Sequence, residues 1–513
     1  MNAPSTIGAL VREAAIRFGD REFLRFPGES LSFAETEETT NRLARVLVAR
    51  GVRPGDRAAI MLDNTAGWPL CWIAITKAGG VAVPVNARYR EADLSFVLRD
   101  SGAVMALTSP DRAGLVQTVA AGVDTLHRVH TLPELMAHPA PGDDPGVAVT
   151  ASDLANLQYT SGTTGFPKAC MLTHEYWLCL AARVAEHAQL DSGDVMMMAQ
   201  AFSYLDPQWA TLMCLFAGAT FVVLPRFSAS GFWRSAREHG VTVTYVLGSM
   251  PVLLYKQPED PADRDNRVRL VLCSGIPPDL HERFERRWGA VWRELYGSTE
   301  SGLDLMVGVP DTETVGTGAM GHPPAGKEVR VADEAGNPLP AGEVGEILVR
   351  GGPMMLGYWN HPDATERVFR GGWYHTGDLG FADDAGRVHH AGRIKDMIRR
   401  GGENISAAEV EHVLQRHPAV LAAAVVGIPD DLFGELVGAF IQLRPGRTPD
   451  TGAAQDILTH VRGQLAGFKV PAYLKFVDGF PMTPSERIRK SELLKTDPRA
   501  GAFDTSSESW SAQ

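Results

Sequence analysis

The chain is short of cysteine pairs, of positive charge and of long apolar runs, and each shortage removes a class of function. Five cysteines (Cys71, Cys170, Cys179, Cys214 and Cys273) are scattered through 513 residues without a CxxC pair. Most stand beside apolar residues, so they read as buried thiols in a reducing compartment, not as a disulfide frame or a zinc site. Acidic residues outnumber basic ones by 61 to 49, for a net charge of -12, which argues against a nucleic-acid binder. No stretch reaches the roughly 18 apolar residues of a membrane span. The best candidate, Cys71 to Val85, contains Lys77 and two glycines. No basic stretch followed by an apolar core opens the chain, so no secretory signal is expected and a cytoplasmic location is. There is no internal repeat.

What is present is ordinary globular composition, 44% hydrophobic and 21% charged, at a length that suits two to four domains of about 150 residues. Residues 7–18 and 35–51 carry apolar positions at helical spacing; Gly19-Asp20 follow the first as a stop, and the second ends at Gly51. Arg57–Leu62 reads as a buried strand, Ala66–Ala78 as a helix and Val81–Val85 as a strand. This rhythm continues to about residue 290 and predicts an α/β fold with mainly parallel sheets covered by helices. Residues 325–392 are dense in glycine and proline with short strands such as Glu346–Arg350, a β-rich subdomain. Residues 396–495 return to mixed elements, with a helix at Ala407–Arg416. The Ser-rich end, 500–513, is expected to be disordered.

The most informative segment is Tyr159-Thr-Ser-Gly-Thr-Thr-Gly-Phe-Pro-Lys168. Every residue from Thr160 to Gly165 is a glycine or bears a hydroxyl. Such a loop lets backbone N–H groups approach an anion, and Lys168 adds a mobile charge, a recipe for holding polyphosphate. Pro167 and Ala169 break the common P-loop pattern. A flexible surface loop is the plain alternative.

Four further motifs follow. Tyr296-Gly-Ser-Thr-Glu300 succeeds a strand near Trp292–Leu295 and offers an open, donor-rich turn at a sheet's carboxyl edge. Glu300 suits Mg²⁺ or, more plainly, a helix N-cap box. Trp373-Tyr-His-Thr-Gly-Asp378 presents a carboxylate suited to two ribose hydroxyls, or a simple β-turn. Gly392-Arg-Ile-Lys-Asp396 with Gly401-Gly-Glu-Asn404 reads as a hinge between composition regimes, or as a hairpin with a basic rim. Thr483-Pro-Ser-Glu-Arg-Ile-Arg-Lys490 carries cations for a phosphate or for solvent. His174 and His375 lack metal-ligand partners at suitable spacing. Met196–Met198 reads as core strand, and Arg283–Arg287 as a solvated helix face.

In this order and spacing, the motifs resemble the adenylate-forming superfamily of acyl-CoA synthetases, aryl-CoA ligases, luciferases and peptide-synthetase adenylation domains, over roughly residues 5–495. The resemblance implies an N-terminal domain, 1–394, that binds ATP and a carboxylic acid, and a mobile C-terminal lid, 395–499, hinged at Lys395. It implies that Thr160, Ser161, Gly162, Thr163, Thr164, Gly165 and Lys168 hold the β- and γ-phosphates. Tyr296, with Gly297 and Ser298, would lie against adenine, and Ser274, Gly275 and Ile276 would line its other side. Thr299 would contact the α-phosphate, Glu300 would bind Mg²⁺, and Asp378 and Arg393 would hold the ribose. The carboxylate attacks the α-phosphorus, releasing pyrophosphate, and coenzyme A takes the acyl group past Gly401 and Gly402. A homodimer is compatible with this family.

Two departures stand out. The family's Ser-Gly-Lys-Ile-x-Lys becomes Ser485-Glu-Arg-Ile-Arg-Lys490, so Arg487 is expected to take the catalytic lysine's role, with Lys490 as a weaker stand-in. Where many members have Pro-x-Phe-His, Tyr204 replaces the histidine and Asp206 follows. With Trp209, Gly248 and Ser249, these residues would line the acid pocket. Asp206 would favour a substrate bearing an amine or quaternary ammonium, loosely as in crotonobetaine and carnitine ligases. Otherwise it caps a helix starting at Pro207. The leading expectation is an acid–CoA ligase. The alternatives are an adenylating enzyme with another acceptor, such as a carrier-protein thiol, an amine, or nitrite activated for diazotisation, and a nucleotide-binding relative without catalysis.

Overall fold

The structure, a computed structural model, describes residues 4–160, 167–401, 403–482 and 488–511. The chain forms two compact units, one of residues 1–329 with 349–374 and one of 330–348 with 375–513. This division groups 330–348 and 375–394 with the C-terminal part, whereas the sequence pointed to a boundary at 394/395.

The first unit holds two α/β sheets. In the eight-stranded sheet, Val291–Ser298, Leu270–Ser274, Val243–Leu247, Val195–Met198, Thr220–Val223 and Glu22–Phe26 run side by side. Their pairings are parallel, and antiparallel partners Gly302–Met306 and Glu29–Ser32 close the two edges. The six-stranded sheet is likewise parallel until its last pair, Leu154–Thr160 with Lys168–Thr173. Strands such as Val243–Leu247 are buried along their whole length, as sheets covered on both faces require. Helices close the layers. Ile7–Phe18 starts where the Thr6 hydroxyl accepts the Ala9 N–H and stops at Gly19, and it buries Ile7, Leu10, Val11 and Ala14. Phe33–Ala49 opens with a reciprocal Ser32–Glu35 box. The Met196–Met198 strand is buried core.

Between residues 319 and 393 short strands, among them Glu328–Ala332, Gly345–Arg350 and Val388–Arg393, accompany the ten-residue Trp373–Ala382. In the second unit, helix Ala407–Arg416 packs Val410, Val413 and Leu414 against the long hairpin Val420–Asp430 and Gly434–Leu443.

Two expectations need correction. The C-terminal segment is not a disordered tail: Phe503–Asp504 pairs with Tyr473–Phe476, Ser509–Trp510 pairs back onto it, and Phe503 is fully buried. The Arg283–Arg287 run is not wholly solvated. Arg287 is buried against Asp263 at 2.7 Å and donates to the carbonyls of Tyr255, Gln257 and Pro258. Among the described residues, no helix is long and apolar enough to cross a membrane.

Candidate functional site

Sheet order assembles the site. Val291–Ser298, Leu270–Ser274, Val243–Leu247 and Val195–Met198 are consecutive parallel neighbours. Their carboxyl ends therefore present Ser298–Glu300, Ser274–Ile276, Gly248–Ser249 and the segment after Met198 along one edge, where α/β sheets bind ligands.

The Tyr296–Glu300 motif is a strand end and tight turn, not a helix cap, because the chain returns at once as the antiparallel strand Gly302–Met306. Gly297 is obligatory there: a Cβ would lie 1.9 Å from the Gly302 carbonyl oxygen. The Thr299 carbonyl accepts the Tyr176 hydroxyl at 2.9 Å. The Glu300 carboxylate accepts the Tyr358 hydroxyl at 2.8 Å, and its carbonyl accepts the Met355 N–H at 2.8 Å. Burial and the Glu300 charge push the Tyr358 phenol up, so it remains a donor. Behind the turn, Ser298 Oγ meets Ser301 Oγ at 2.8 Å, Ser301 bonds Asp304, and Lys327 bonds both Asp304 (3.2 Å) and the Ser301 carbonyl. The side chains of Lys327 and Asp304 are wholly buried. Burial pushes Asp304 up and Lys327 down, and each charge opposes the other's shift.

The anion loop springs from the hairpin in which Thr160 pairs with Lys168. The Thr160 hydroxyl bonds the Lys168 carbonyl at 3.4 Å, and Tyr159 anchors the strand through Asp100 at 2.6 Å. Lys168 Nζ lies 5.7 Å from the centre of the Tyr358 ring. That phenol thus stands between the loop's lysine and Glu300. Ser161, Gly162, Thr163, Thr164 and Gly165 lie outside the described residues.

Gly275, at φ 102°, makes the turn after Leu270–Ser274. The Gly275 and Ile276 amides donate to Glu294, and Ser274 Oγ donates to the Leu295 carbonyl at 2.6 Å. Tyr245 joins the turn to the acid side: its hydroxyl is 3.0 Å from Ser274 Oγ and its ring meets Trp209 edge-on at 5.3 Å. The Gly248 N–H donates to the Ser274 carbonyl at 3.1 Å.

At the residues expected to line the acid pocket, Asn86 Nδ2 donates to the Tyr204 hydroxyl at 3.1 Å. The segment is braced by buried amides. Gln208 Nε2 donates to Gln158 Oε1 (3.0 Å) and the Tyr204 carbonyl (2.9 Å), and Gln158 donates to the Ser203 carbonyl (2.8 Å). Asn156 donates to Gln208 (2.8 Å) and accepts from the Trp72 indole (2.8 Å). Asp206 does not cap a helix beginning at Pro207. The helix is Leu205–Ala217, Tyr204 is its cap residue, and Asp206 lies in its first turn, where the helix dipole favours an anion. Ser249 precedes helix Met250–Tyr255.

In the second unit, Asp378 and Arg393 face each other across paired strands at 2.7 Å. The Gly377 amide and His375 Nδ1 both bond Glu346, at 3.0 and 2.7 Å, and Thr376 bonds the Ile347 carbonyl. Lys395 lies in the short turn Ile394–Asp396. Lys490 Nζ is 2.8 Å from Glu411 and 3.9 Å from Asp396, so two carboxylates already engage its charge. Gly401 is exposed at φ 58°. Gly402 and Arg487 lie outside the described residues.

Sequence reasoning missed Glu294, Tyr358, Tyr176, the Lys327–Asp304 pair and the amide lattice. The one available signal was polar residues inside otherwise apolar strands, as at Asn156 and Gln158.

Residues 11–359 match the AMP-binding enzyme family, and residues 409–487 match the AMP-binding enzyme C-terminal domain. The chain is 35% identical to a feruloyl-CoA synthase of an Amycolatopsis species over 476 residues, 92% of this chain and 95% of that one. It is 31% identical over 506 residues to the crotonobetaine/carnitine–CoA ligase of Salmonella paratyphi A, 93% and 96% of the two chains. The o-succinylbenzoate CoA synthetase of Bacillus subtilis, solved with its acyl-adenylate intermediate, superposes with a TM-score of 0.84 at 29% identity, over 94% and 97% of the chains. The protein belongs to the AMP-binding enzyme family of adenylate-forming enzymes. Within it, the chain is an AMP-forming acid–CoA ligase: it activates a carboxylic acid with ATP and Mg²⁺, releases pyrophosphate, and transfers the acyl group to coenzyme A.

Proposed function

We propose that the acid is aromatic, of the feruloyl type, and that the motif residues carry the roles their positions suit. The supporting observation is the lining of the acid side. Trp209 and Tyr245 meet edge-on beside the Ser274 turn, aromatic surface of the kind a planar ring packs against, and the Tyr204–Asn86 pair offers polar partners for ring oxygens. The 35% identity to feruloyl-CoA synthase points the same way. Asp206, half-buried one turn away, with the carnitine-type relative, favours a second reading, a quaternary-ammonium acid. The relatives named are CoA ligases and lend nothing to a carrier-protein, amine or nitrite acceptor.

In this reading, Tyr296 with Gly297 and Ser298 on one side and Ser274, Gly275 and Ile276 on the other receive adenine. Thr299 contacts the α-phosphate. The loop from Thr160 to Lys168 receives the outer phosphates. Glu300 suits Mg²⁺ because it is a carboxylate oxygen donor at the turn assigned to the phosphates, and this ion is commonly held by one or two carboxylates together with substrate phosphates. When bound, Mg²⁺ neutralises phosphate charge. Catalysis is mainly positioning and charge stabilisation. In the second unit, Asp378 and Arg393 are assigned to the ribose diol, Arg487 to the carboxylate–phosphate bridge, Lys395 to the hinge, and Gly401 and Gly402 to the pantetheine path. Glu411 and Asp396 leave Lys490 poorly suited as a stand-in. A cytoplasmic location and a homodimer complete the reading, and light scattering tests the latter.

The deciding experiment is CoA-dependent thioester formation over a panel of hydroxycinnamic, benzoic, fatty and quaternary-ammonium acids. A kcat/KM about 100-fold higher for a hydroxycinnamic acid than for crotonobetaine supports the aromatic reading. The reverse order moves the assignment to Asp206 and a cationic substrate.

A further inference from the structure

The Gly275–Ile276 turn is not held by its own backbone. Glu294 stands on the adjacent strand, in register with Cys273, and each of its carboxylate oxygens takes one of two successive amides: Gly275 N–H to Oε1 at 2.6 Å and Ile276 N–H to Oε2 at 2.8 Å. Two consecutive N–H groups at a glycine with positive φ form a small anion nest, and here the chain fills it with its own carboxylate. Strand alternation puts Glu294 on the same face as Tyr296.

The arrangement is unfavourable for the fold alone. Desolvation pushes Glu294 up to about 7 even though both amide bonds pull it down. Its bonding partners among the described residues are these two amides, with no cation between them. Cys273 beside it in the sheet is a thiol that burial keeps neutral. Arg293 is bound by Glu285 at 2.8 Å, and Asp304 by Lys327. A neutral residue would suit the sheet better, so the carboxylate answers to the turn it holds.

We propose that Glu294 is a positioning residue of the nucleotide site, whose carboxylate, gripping the amides of Gly275 and Ile276, fixes the adenine-facing turn in the conformation that accepts ATP. This rests on the assignment of Ser274–Ile276 to adenine. Loss of the negative charge removes one of the two acceptors, so the turn loosens as pH falls through the neutral range. Adenosine, uncharged across that range, probes the turn without interference from phosphate ionisation.

The test measures KM for ATP, acid and CoA, kcat, the inhibition constant of adenosine, and thermal unfolding, in wild type, E294Q and Y296A. In E294Q, KM for ATP and the adenosine constant rise about tenfold, while kcat and the KM for acid and CoA stay within about twofold. The wild-type adenosine constant weakens from about pH 8 to pH 6, the E294Q constant does not, and E294Q melts higher than wild type at about pH 8. An unchanged KM for ATP in E294Q, or a rise in all three KM values with a lower melting point, overturns the proposal. If Y296A weakens ATP while E294Q does not, only the role of Glu294 falls; if neither does, the adenine assignment falls with it. Should E294Q not fold, a pH-independent adenosine constant in the wild type is the overturning result.

Discussion

The two sides of the first unit are braced by different chemistry. Behind the side proposed for the acid lies a lattice of neutral amides, Asn156, Gln158 and Gln208, closed by the Trp72 indole. Behind the side proposed for the nucleotide lie ions: Lys327 with Asp304, and Glu294 against two amides. Neutral amides satisfy one another at modest desolvation cost and do not titrate. Buried ions cost more, hold more rigidly, and respond to pH or to loss of a partner. Exchanges among the amides therefore cost stability without a pH dependence, whereas on the other side Lys327 and Asp304 cannot lose one charge without stranding its partner, and Glu294 answers to pH.

The largest expected effect breaks the ionic side. Lys327→Met leaves the Asp304 carboxylate buried without its cation and should lower stability by about 3–5 kcal/mol, read by urea unfolding. Lys327→Met combined with Asp304→Leu should recover most of that loss. If the double variant is no better than the single one, the pair is not what holds the Ser298–Ser301 turn.

The next effect is a pH slope. The folded pKa of Glu294 stands near 7 against an ordinary 4.5, so between those values the folded state binds more protons than the unfolded one. Its contribution therefore falls as pH rises through that window, by about 3 kcal/mol in all. His174 and His187, pushed down to about 4 by burial, act oppositely: their contribution is full above the ordinary histidine value and is lost as pH falls toward 4. Both histidines are present in E294Q, so they cancel in the difference. The stability gap between E294Q and wild type should widen in favour of E294Q from about pH 4.5 to pH 8. A constant gap would put Glu294 among the neutral braces and erase the contrast between the two sides.

Local pattern made part of this molecule legible. Helices Ile7–Phe18 and Ala407–Arg416 were readable because apolar period and caps agree within a dozen residues, and the parallel strands because continuous apolar runs alternate with helices. Tyr296–Glu300 and the Thr160–Lys168 frame were readable as motifs. What escaped depends on distant partners. Arg287 looked solvated because Asp263 and three carbonyls meet it from 24 to 32 residues away. The C-terminal strands looked disordered because Ala502 and Phe503 sit among serines, and only the edge at Tyr473–Phe476 gives them a place. Glu294 and Lys327 escaped for the same reason: their partners lie on other strands and loops.

On the neutral side, Gln208→Leu removes the donor to Gln158 and the Tyr204 carbonyl and strands Asn156 Nδ2. It should cost about 2–3 kcal/mol with no pH dependence, because none of the orphaned groups ionises. Urea unfolding near pH 5 and pH 8 checks this, and a loss that varies with pH would mean a charge is coupled to the lattice.

The smallest effect sharpens the comparison most. Tyr204→Phe keeps the ring and deletes only the hydroxyl that accepts from Asn86 at 3.1 Å. One neutral hydrogen bond at a partly open position amounts to about 1 kcal/mol, so the fold should scarcely notice. Its place in the polar lining of the acid side gives the hydroxyl a different weight for the substrate. The KM for an acid bearing ring oxygens should rise severalfold, that for an unsubstituted aromatic acid should not, and the KM for ATP should stay unchanged. If ATP binding weakens instead, the two sides are coupled through Tyr245, whose hydroxyl meets Ser274 while its ring packs on Trp209. The acid lattice and the nucleotide turn would then be one responsive structure, and exchanges on the acid side would no longer be independent of ATP.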